Sequence, residues 1–332
     1  NIKDAQTHHN LISTPSRKWS NIALRILVNT ASHPIEYAKV LIQVYIDKCL
    51  LGDIGHEPIP PRATTTIFGQ PALSLPNVFQ YVKYIKTVDG FVGCYRGLVP
   101  KLCANAVSAF AFQKTAENIK FANEPDKQID EDDLPENERR IRCVNELLRD
   151  LASRIAAIIA SHPLDVITLR MMAQFVGGEN KYNGLIGSVV EIYKENGISG
   201  YFAGLVPRLI GNIASLVIAS SATYAINKYI IQDREMRNYT AASMTFLASA
   251  ITYPFLVVSH CMAVNDCGLV AGLPPQMPIY QSWVHCWSHL SANNQLKRGS
   301  SVLWRYYTGP HVIMNGKPIV ISKENFYLQS AQ

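Results

Sequence analysis

Two hexapeptides, Gly97-Leu-Val-Pro-Lys-Leu102 and Gly204-Leu-Val-Pro-Arg-Leu209, constrain what this chain can fold into more than any other feature. Around them, Asp89-Gly90-Phe-Val-Gly-Cys-Tyr95-Arg96-Gly97 aligns without a gap with Asn196-Gly197-Ile-Ser-Gly-Tyr-Phe202-Ala203-Gly204. A fainter third copy is read at Gly299-Ser-Ser-Val-Leu-Trp304-Arg305-Tyr306. Upstream of each copy lies a second element: Ser32-His33-Pro34-Ile-Glu36-Tyr-Ala-Lys39, then Ser161-His162-Pro163-Leu-Asp165-Val-Ile-Thr168, then Thr252-Tyr253-Pro254-Phe-Leu256-Val-Val-Ser259. Two kinds of element in the same order three times over make an internal repeat, each unit of which needs its neighbours to bury an apolar face.

Composition says what surrounds those units. Apolar residues make up 48% of the 332 and charged residues only 17%, against roughly 25% charged in soluble domains. Leu209–Asn227 and Asn238–Asn265 contain no Asp, Glu, Lys or Arg. At ~1.5 Å per helical residue, either is long enough for a ~30 Å hydrocarbon core. Three further segments, about Trp19–Ile46, Gly97–Ile119 and Leu147–Gln174, have helical periodicity and contain charge. In the first, Asn29, Ser32, Glu36, Lys39 and Gln43 fall at steps of three or four and form one polar stripe; Arg154, Ser161, Asp165 and Thr168 do much the same in the third. Either stripe alone also fits a soluble amphipathic helix. Beside two charge-free spans, the stripes are expected to line a shared groove, because charge at mid-bilayer faces protein or water. Pro34, Pro163 and Pro254 each remove a backbone hydrogen bond and predict kinks at similar depth around a central cavity.

These residues carry a family resemblance. Pro-x-[Asp/Glu]-x-x-[Lys/Arg], followed by [Asp/Glu]-Gly-x-x-x-x-aromatic-[Lys/Arg]-Gly, three times over, is similar to the pattern of the mitochondrial solute carriers. More closely, the chain resembles the mitochondrial carrier homologue group, divergent outer-membrane members of that superfamily. The stretches Tyr253-Pro-Phe-Leu-Val-Val-Ser-His-Cys-Met-Ala-Val-Asn265, Asp266-Cys-Gly-Leu269, Pro274-Pro275, Pro278-Ile-Tyr280 with Ser282-Trp283, and His56-Glu-Pro-Ile-Pro-Pro61 resemble that group in particular. The resemblance covers roughly 20–304. It implies an all-α membrane protein of threefold pseudo-repeat: a polar tail at 1–18, repeat 1 at 19–120, an acidic loop at 121–146, repeat 2 at 147–231, a partial repeat 3 at 238–305 and a C-terminal tail at 306–332.

Departures from the carrier pattern are more informative than the matches. In solute carriers the acid of each kinked helix pairs with the base of the next. Here the acid positions are Glu36, Asp165 and Leu256 and the base positions Lys39, Thr168 and Ser259, so every such pair has lost a partner. A buried charge without its partner is costly, and these charges are expected to be hydrated or to serve whatever enters the groove. After Trp304-Arg305, Gly, Pro and charge interrupt every candidate span. A missing sixth helix would leave the polar groove open laterally to lipid. Mitochondrial carrier homologues of this kind are outer-membrane insertases for α-helical, especially tail-anchored, proteins and docking sites for a pro-apoptotic Bcl-2-family protein, and the resemblance implies the same multi-pass location and partners here. A lipid scramblase or passive scaffold using the same groove is the alternative, and a solute transporter fits less well. The candidate groove residues are Lys39, Glu36, Asp165, Arg208, Asn212 and Tyr253. Arg208 has a second reading as a snorkelling side chain, and Asn212 and Tyr253 as interhelical hydrogen-bonding residues.

Catalytic and ligand classes fit poorly. Seven cysteines include no Cys-x-x-Cys and read as free thiols. His285 and His289 are spaced i, i+4, but without a His-Glu-x-x-His motif they make a weak metal site, and no cofactor is expected. Net charge is +6 with no aromatic-interleaved basic patch, which argues against nucleic acid. The acidic, Pro-containing stretch 124–138 reads as a solvated connection, 52–76 as an interfacial lid, and Phe79, Tyr81, Val82 and Tyr84 as residues at headgroup level. The polar N-terminal residues show neither an apolar signal region nor an Arg-rich presequence.

Overall fold

A computed structural model describes residues 15–44, 62–65, 69–119, 135–230, 234–307, 311–314 and 317–320. Among them the chain is mostly helical, in a recurring order of one long helix, one short helix and another long helix. The helices are α1 (Pro15–Val44), α2 (Val78–Gly93), α3 (Leu98–Asn118), α4 (Glu136–Ala173), α5 (Gly184–Asn196), α6 (Leu205–Tyr229), α7 (Arg234–Val264) and α8 (Trp283–Ala292). Pro34, Pro163 and Pro254 lie inside α1, α4 and α7.

Helix starts follow local chemistry. α3 and α6 each begin after a left-handed glycine, Gly97 at φ 81° and Gly204 at φ 79°. Pro100 and Pro207 then fall in the first turn, where a missing N–H costs nothing because it has no intrahelical partner. α2 opens on a capping box, in which the Asn77 side chain accepts from the Gln80 N–H and the Gln80 side chain from the Asn77 N–H. α8 opens on Ser282, whose hydroxyl accepts from the His285 N–H.

The C-terminal parts of α1, α4 and α7 converge, with α2, α5 and α8 packed against them. The core sits at that end: Tyr37 and Ile42 from α1, Ile167 and Met172 from α4, Val257 and Val264 from α7, and Ile85, Ile192 and Leu290 from the short helices are all buried. α3 packs along α4 and α6 along α7. Three stretches are long and apolar enough to cross a membrane, 137–173, 198–229 and 239–264. The apolar window of the first is 61% buried against 17% and 22% for the other two, which makes α4 the central helix and leaves α6 and α7 with broad lipid-facing surfaces.

Three expectations need correction. α4 starts at Glu136, not near Leu147, so the end of the expected acidic loop is helical; residues 120–134 lie outside the described residues. Tyr81 is buried rather than placed at headgroup level, and only Phe79 of its group is exposed. The chain is also not wholly helical. Strand β1 (Arg62–Thr65) pairs antiparallel with β2 (Pro71–Ser74), and β3 (His311–Met314) with β4 (Lys317–Val320). The chain after α8 runs back along β2: Leu75 N–H donates to Arg305 O at 2.8 Å, Tyr307 N–H to Leu73 O at 2.8 Å, and Val78 N–H to Val302 O at 3.2 Å. Arg305 adds a 2.7 Å bond to Pro76 O. No helix follows Ala292 among the described residues.

Candidate functional site

Three junctions hold the converging helices together, and each uses the same two contacts. The aromatic residue before the helix proline donates to the carbonyl just ahead of a repeat glycine: His33 Nε2 to Arg96 O at 3.0 Å, His162 Nε2 to Ala203 O at 3.0 Å, and Tyr253 Oη to Arg298 O at 2.7 Å. The glycine itself then takes the close approach of the next long helix. A Cβ at Gly97 would lie 3.2 Å from Thr168 O, at Gly204 2.3 Å from Ser259 O, and at Gly299 3.3 Å from Gln43 Cγ. All three have positive φ, 81°, 79° and 68°. Arg298-Gly299 is therefore the counterpart of Arg96-Gly97. The sequence alignment had matched Gly299 instead to Gly90 and Gly197 and Trp304-Arg305 to Tyr95-Arg96, seven residues out of step. The similarity it followed was aromatic spacing, whereas the structural requirement is a positive-φ glycine against the next long helix, approached by backbone at Gly97 and Gly204 and by side chains at Gly299.

Electrostatics at these junctions overturns the expectation of unpartnered acids. Glu36 pairs with Lys101 at 2.6 Å and Asp165 with Arg208 at 2.8 Å. Asp165 also accepts from Ser161 Oγ, and an Arg208 guanidinium nitrogen lies 3.2 Å from His162 Nδ1. Arg208 thus makes an internal ion pair and does not snorkel. Each acid finds its base five residues into the repeat hexapeptide of its own unit, because the glycine junction brings the first turn of α3 or α6 against the long helix. Thr168 and Ser259, where a carrier base would stand, instead bond backbone carbonyls: Thr168 to Leu164 O and Ser259 to Gly204 O, both at 2.8 Å. In the third unit both members of the pair are apolar, Leu256 and Leu303. Lys39 makes no ion pair among the described residues; its ammonium lies 5.1 Å from the Tyr253 ring centroid.

A cavity of about 790 Å³ opens between the N-terminal halves of α4 and α7 and the length of α6. Arg139, Arg149, Arg154, Lys228 and Arg237 line it against two acids, Glu146 and Asp150, with Asn212 and Ser215 on its α6 wall. Of the candidates read from sequence, only Asn212 reaches this cavity, and its amide donates to Arg208 O. Glu36, Lys39, Asp165, Arg208 and Tyr253 sit at the junctions beyond it. The site thus has two layers, a cation-rich vestibule and a junction layer whose acids are neutralised. Lys101 was missed although the hexapeptide carried it at the place of Arg208. Arg139, Arg149, Lys228 and Arg237 were missed because charge near helix ends reads as solvated surface.

At the core end, buried Arg170 joins α4, α5 and α7 by bonds to Ala263 O at 3.0 Å and Asn196 Oδ1 at 2.8 Å, with Tyr182 Oη at 3.4 Å. Burial pushes the Tyr182 phenol up to about 12. Of the paired histidines, His289 contacts Tyr280 Oη through Nδ1 at 3.0 Å and Asn293 through Nε2 at 3.1 Å. Among the described residues no three potential metal ligands cluster.

Comparison with known proteins places this geometry. The sequence pattern of the family described as mitochondrial carrier protein matches residues 141–234. The chain is 40% identical over 292 residues to mitochondrial carrier homolog 2 of Mus musculus, covering 86% of this chain and 93% of that protein. It is 37% identical over 315 residues to mitochondrial carrier homolog 1 of the same species, 88% of this chain and 78% of that protein. A more distant similarity, 27% over 142 residues and 41% of this chain, is to human solute carrier family 25 member 16.

Proposed function

Because this chain belongs to the mitochondrial carrier homologues, a divergent branch of the mitochondrial carrier family, we propose that it is an insertase of the outer mitochondrial membrane that passes tail-anchored and other α-helical proteins into lipid. In this reading three pseudo-equivalent units form the bundle, the polar cavity lies between the second and third of them, and the sixth helix of a carrier is missing, so the slot between α1 and α7 faces lipid. The observation that carries it is the path after α8: the described chain turns back along β2 instead of rising as a helix. The threefold reading draws on the recurring junctions at Gly97, Gly204 and Gly299. A carrier that alternates between two closed states needs inter-repeat ion pairs to make and break, whereas the two pairs here are internal to their units.

An insertase needs no cofactor in this scheme. Burying the client's apolar helix supplies the free energy, at ~0.8 kcal/mol per CH₂. The polar groove lowers the barrier for the client's polar flank, which crosses beside hydrated charge rather than through hydrocarbon. Docking of a Bcl-2-family protein is part of the proposal through the family resemblance. A second reading is phospholipid scrambling along the same slot, since a hydrated groove open to lipid lets headgroups slide across it.

The test is insertion of a radiolabelled tail-anchored client into liposomes holding the purified protein, scored by a protease-protected fragment. Wild type is expected to raise protection over empty liposomes. Lys39→Glu reverses the charge of a groove cation that makes no ion pair among the described residues, so it is expected to raise insertion of clients with basic polar flanks and lower that of clients with acidic ones. Protection no greater than in empty liposomes sinks the insertase reading, and headgroup-accessibility assays on the same liposomes then decide between scrambling and scaffolding.

A further inference from the structure

α1 and α7 bound the proposed slot, and Gln43 carries the hydrogen bonds between them at its core end. Gln43, one residue from the end of α1, is 1% exposed and every polar atom on its carbonyl and amide side chain is engaged by the third unit. Its Nε2 donates to Tyr253 Oη at 2.6 Å, and its Oε1 accepts from His260 Nδ1 at 2.7 Å. Its main-chain carbonyl accepts from Arg298 Nη2 at 2.6 Å and from Cys261 Sγ at 3.5 Å. Tyr253 in turn donates to Arg298 O. At the other end of α1 the picture reverses: Leu24, Leu27 and Val28 are 60%, 66% and 57% exposed.

We propose that Gln43 is a latch that holds the α1–α7 slot shut at its core end, so that breaking it lets α1 swing away from α7 along the helix. This rests on the laterally open reading of the groove. Arg170 ties α4 to α7 by a similar buried bond, but the joints at Gly97 and Gly204 have a further support. At Gly97 and Gly204 a whole helix, α3 or α6, packs along its neighbour and holds the joint over its length. At Gly299 no helix follows among the described residues, and the polar bonds of Gln43 hold the joint with the segment 302–307 behind them. A joint made of a few buried hydrogen bonds opens by small steps, since each contributes about 1 kcal/mol. A helix pair does not, because its contacts are many and parallel.

The experiment is pulsed dipolar spectroscopy on the full chain in lipid nanodiscs, with spin labels at cysteines replacing exposed Val28 on α1 and exposed Leu247 on α7. Wild type is expected to give one main distance. Gln43→Leu, which keeps the bulk and removes the side-chain bonds, is expected to add a longer-distance population, raising the open-to-closed ratio about tenfold. Tyr253→Phe removes one hydroxyl and should shift the same population by less. Wild-type distributions in both folded variants overturn the latch; should Gln43→Leu fail to fold, Tyr253→Phe decides alone. Because the distances are read without client, the two proposals fail separately: a shift without insertion leaves the latch standing and removes the insertase, and insertion without a shift does the reverse.

Discussion

The second unit and the third differ at one position pair, and the difference shows how this scaffold has been altered. In the second unit Asp165 and Arg208 pair at 2.8 Å between α4 and α6, with side chains 11% and 23% exposed. In the third unit the same positions hold Leu256 and Leu303, and among the described residues no helix follows Gly299 for a base to ride on. Charge was removed from both partners together. A lone charge left at that depth would cost several kcal/mol, whereas replacing both by apolar residues is close to neutral. The third unit keeps the glycine junction, through Tyr253 and Arg298, after losing the ion pair. Junction and charge are therefore separable, and the first holds the fold.

Substituting the junction glycines gives the largest expected effect. Alanine at 97, 204 or 299 meets a similar positive φ, costing ~1–2 kcal/mol in each case, so differences among them report the contact. Gly204→Ala places Cβ 2.3 Å from Ser259 O, inside any tolerable separation, while Gly97→Ala and Gly299→Ala meet atoms at 3.2 and 3.3 Å. Melting in detergent should show Gly204→Ala the least stable, by more than ~3 kcal/mol in total. Equal losses at all three would mean that the junctions do not differ as described.

Next in size is the pair itself. Asp165→Leu strands Arg208 and should cost ~2–3 kcal/mol, less than a fully buried break because the arginine is partly hydrated. Adding Arg208→Leu makes the second unit like the third, and should recover at least half of the loss in the same melting assay. Glu36→Leu should cost under ~1 kcal/mol, since Glu36 is 41% exposed. The smallest effect is expected where charge is put back. Leu256→Glu with Leu303→Lys should show a coupling below ~0.5 kcal/mol in a double-mutant cycle, because Leu303 lies on a turning segment and is half exposed. A coupling as large as that of Asp165 with Arg208 would show that the third unit still presents its base as the second does.

Much of the helical framework was legible because its signals are local. The ends of α3 lie within one residue of the span read from periodicity, since the glycine and proline that start it are adjacent in sequence. The start of α4 was not: Glu136 to Glu146 is as rich in charge as a loop, and its helix is a polar extension beyond the apolar stripe. Among the site residues, Glu36 and Asp165 are marked by their place after the prolines, whereas Lys101 is marked only by standing in its hexapeptide where Arg208 stands in the second copy. The acids read as partnerless because pairing follows proximity in space, and Lys101 is 65 residues from Glu36 in the chain.

By itself the sequence determined that this chain is built of repeated helical units for an apolar setting and that it belongs with the mitochondrial carrier homologues, because helix periodicity, charge-free length and short motifs are properties of neighbouring residues. Only the tertiary structure decided which charges neutralise one another, that Gly299 is the counterpart of Gly97 and not of Gly90, that the segment after α8 runs along β2, and that Gln43 joins α1 to the third unit. Each of those depends on which atoms lie within 3 or 4 Å across long separations, and packing, not local preference, sets such distances.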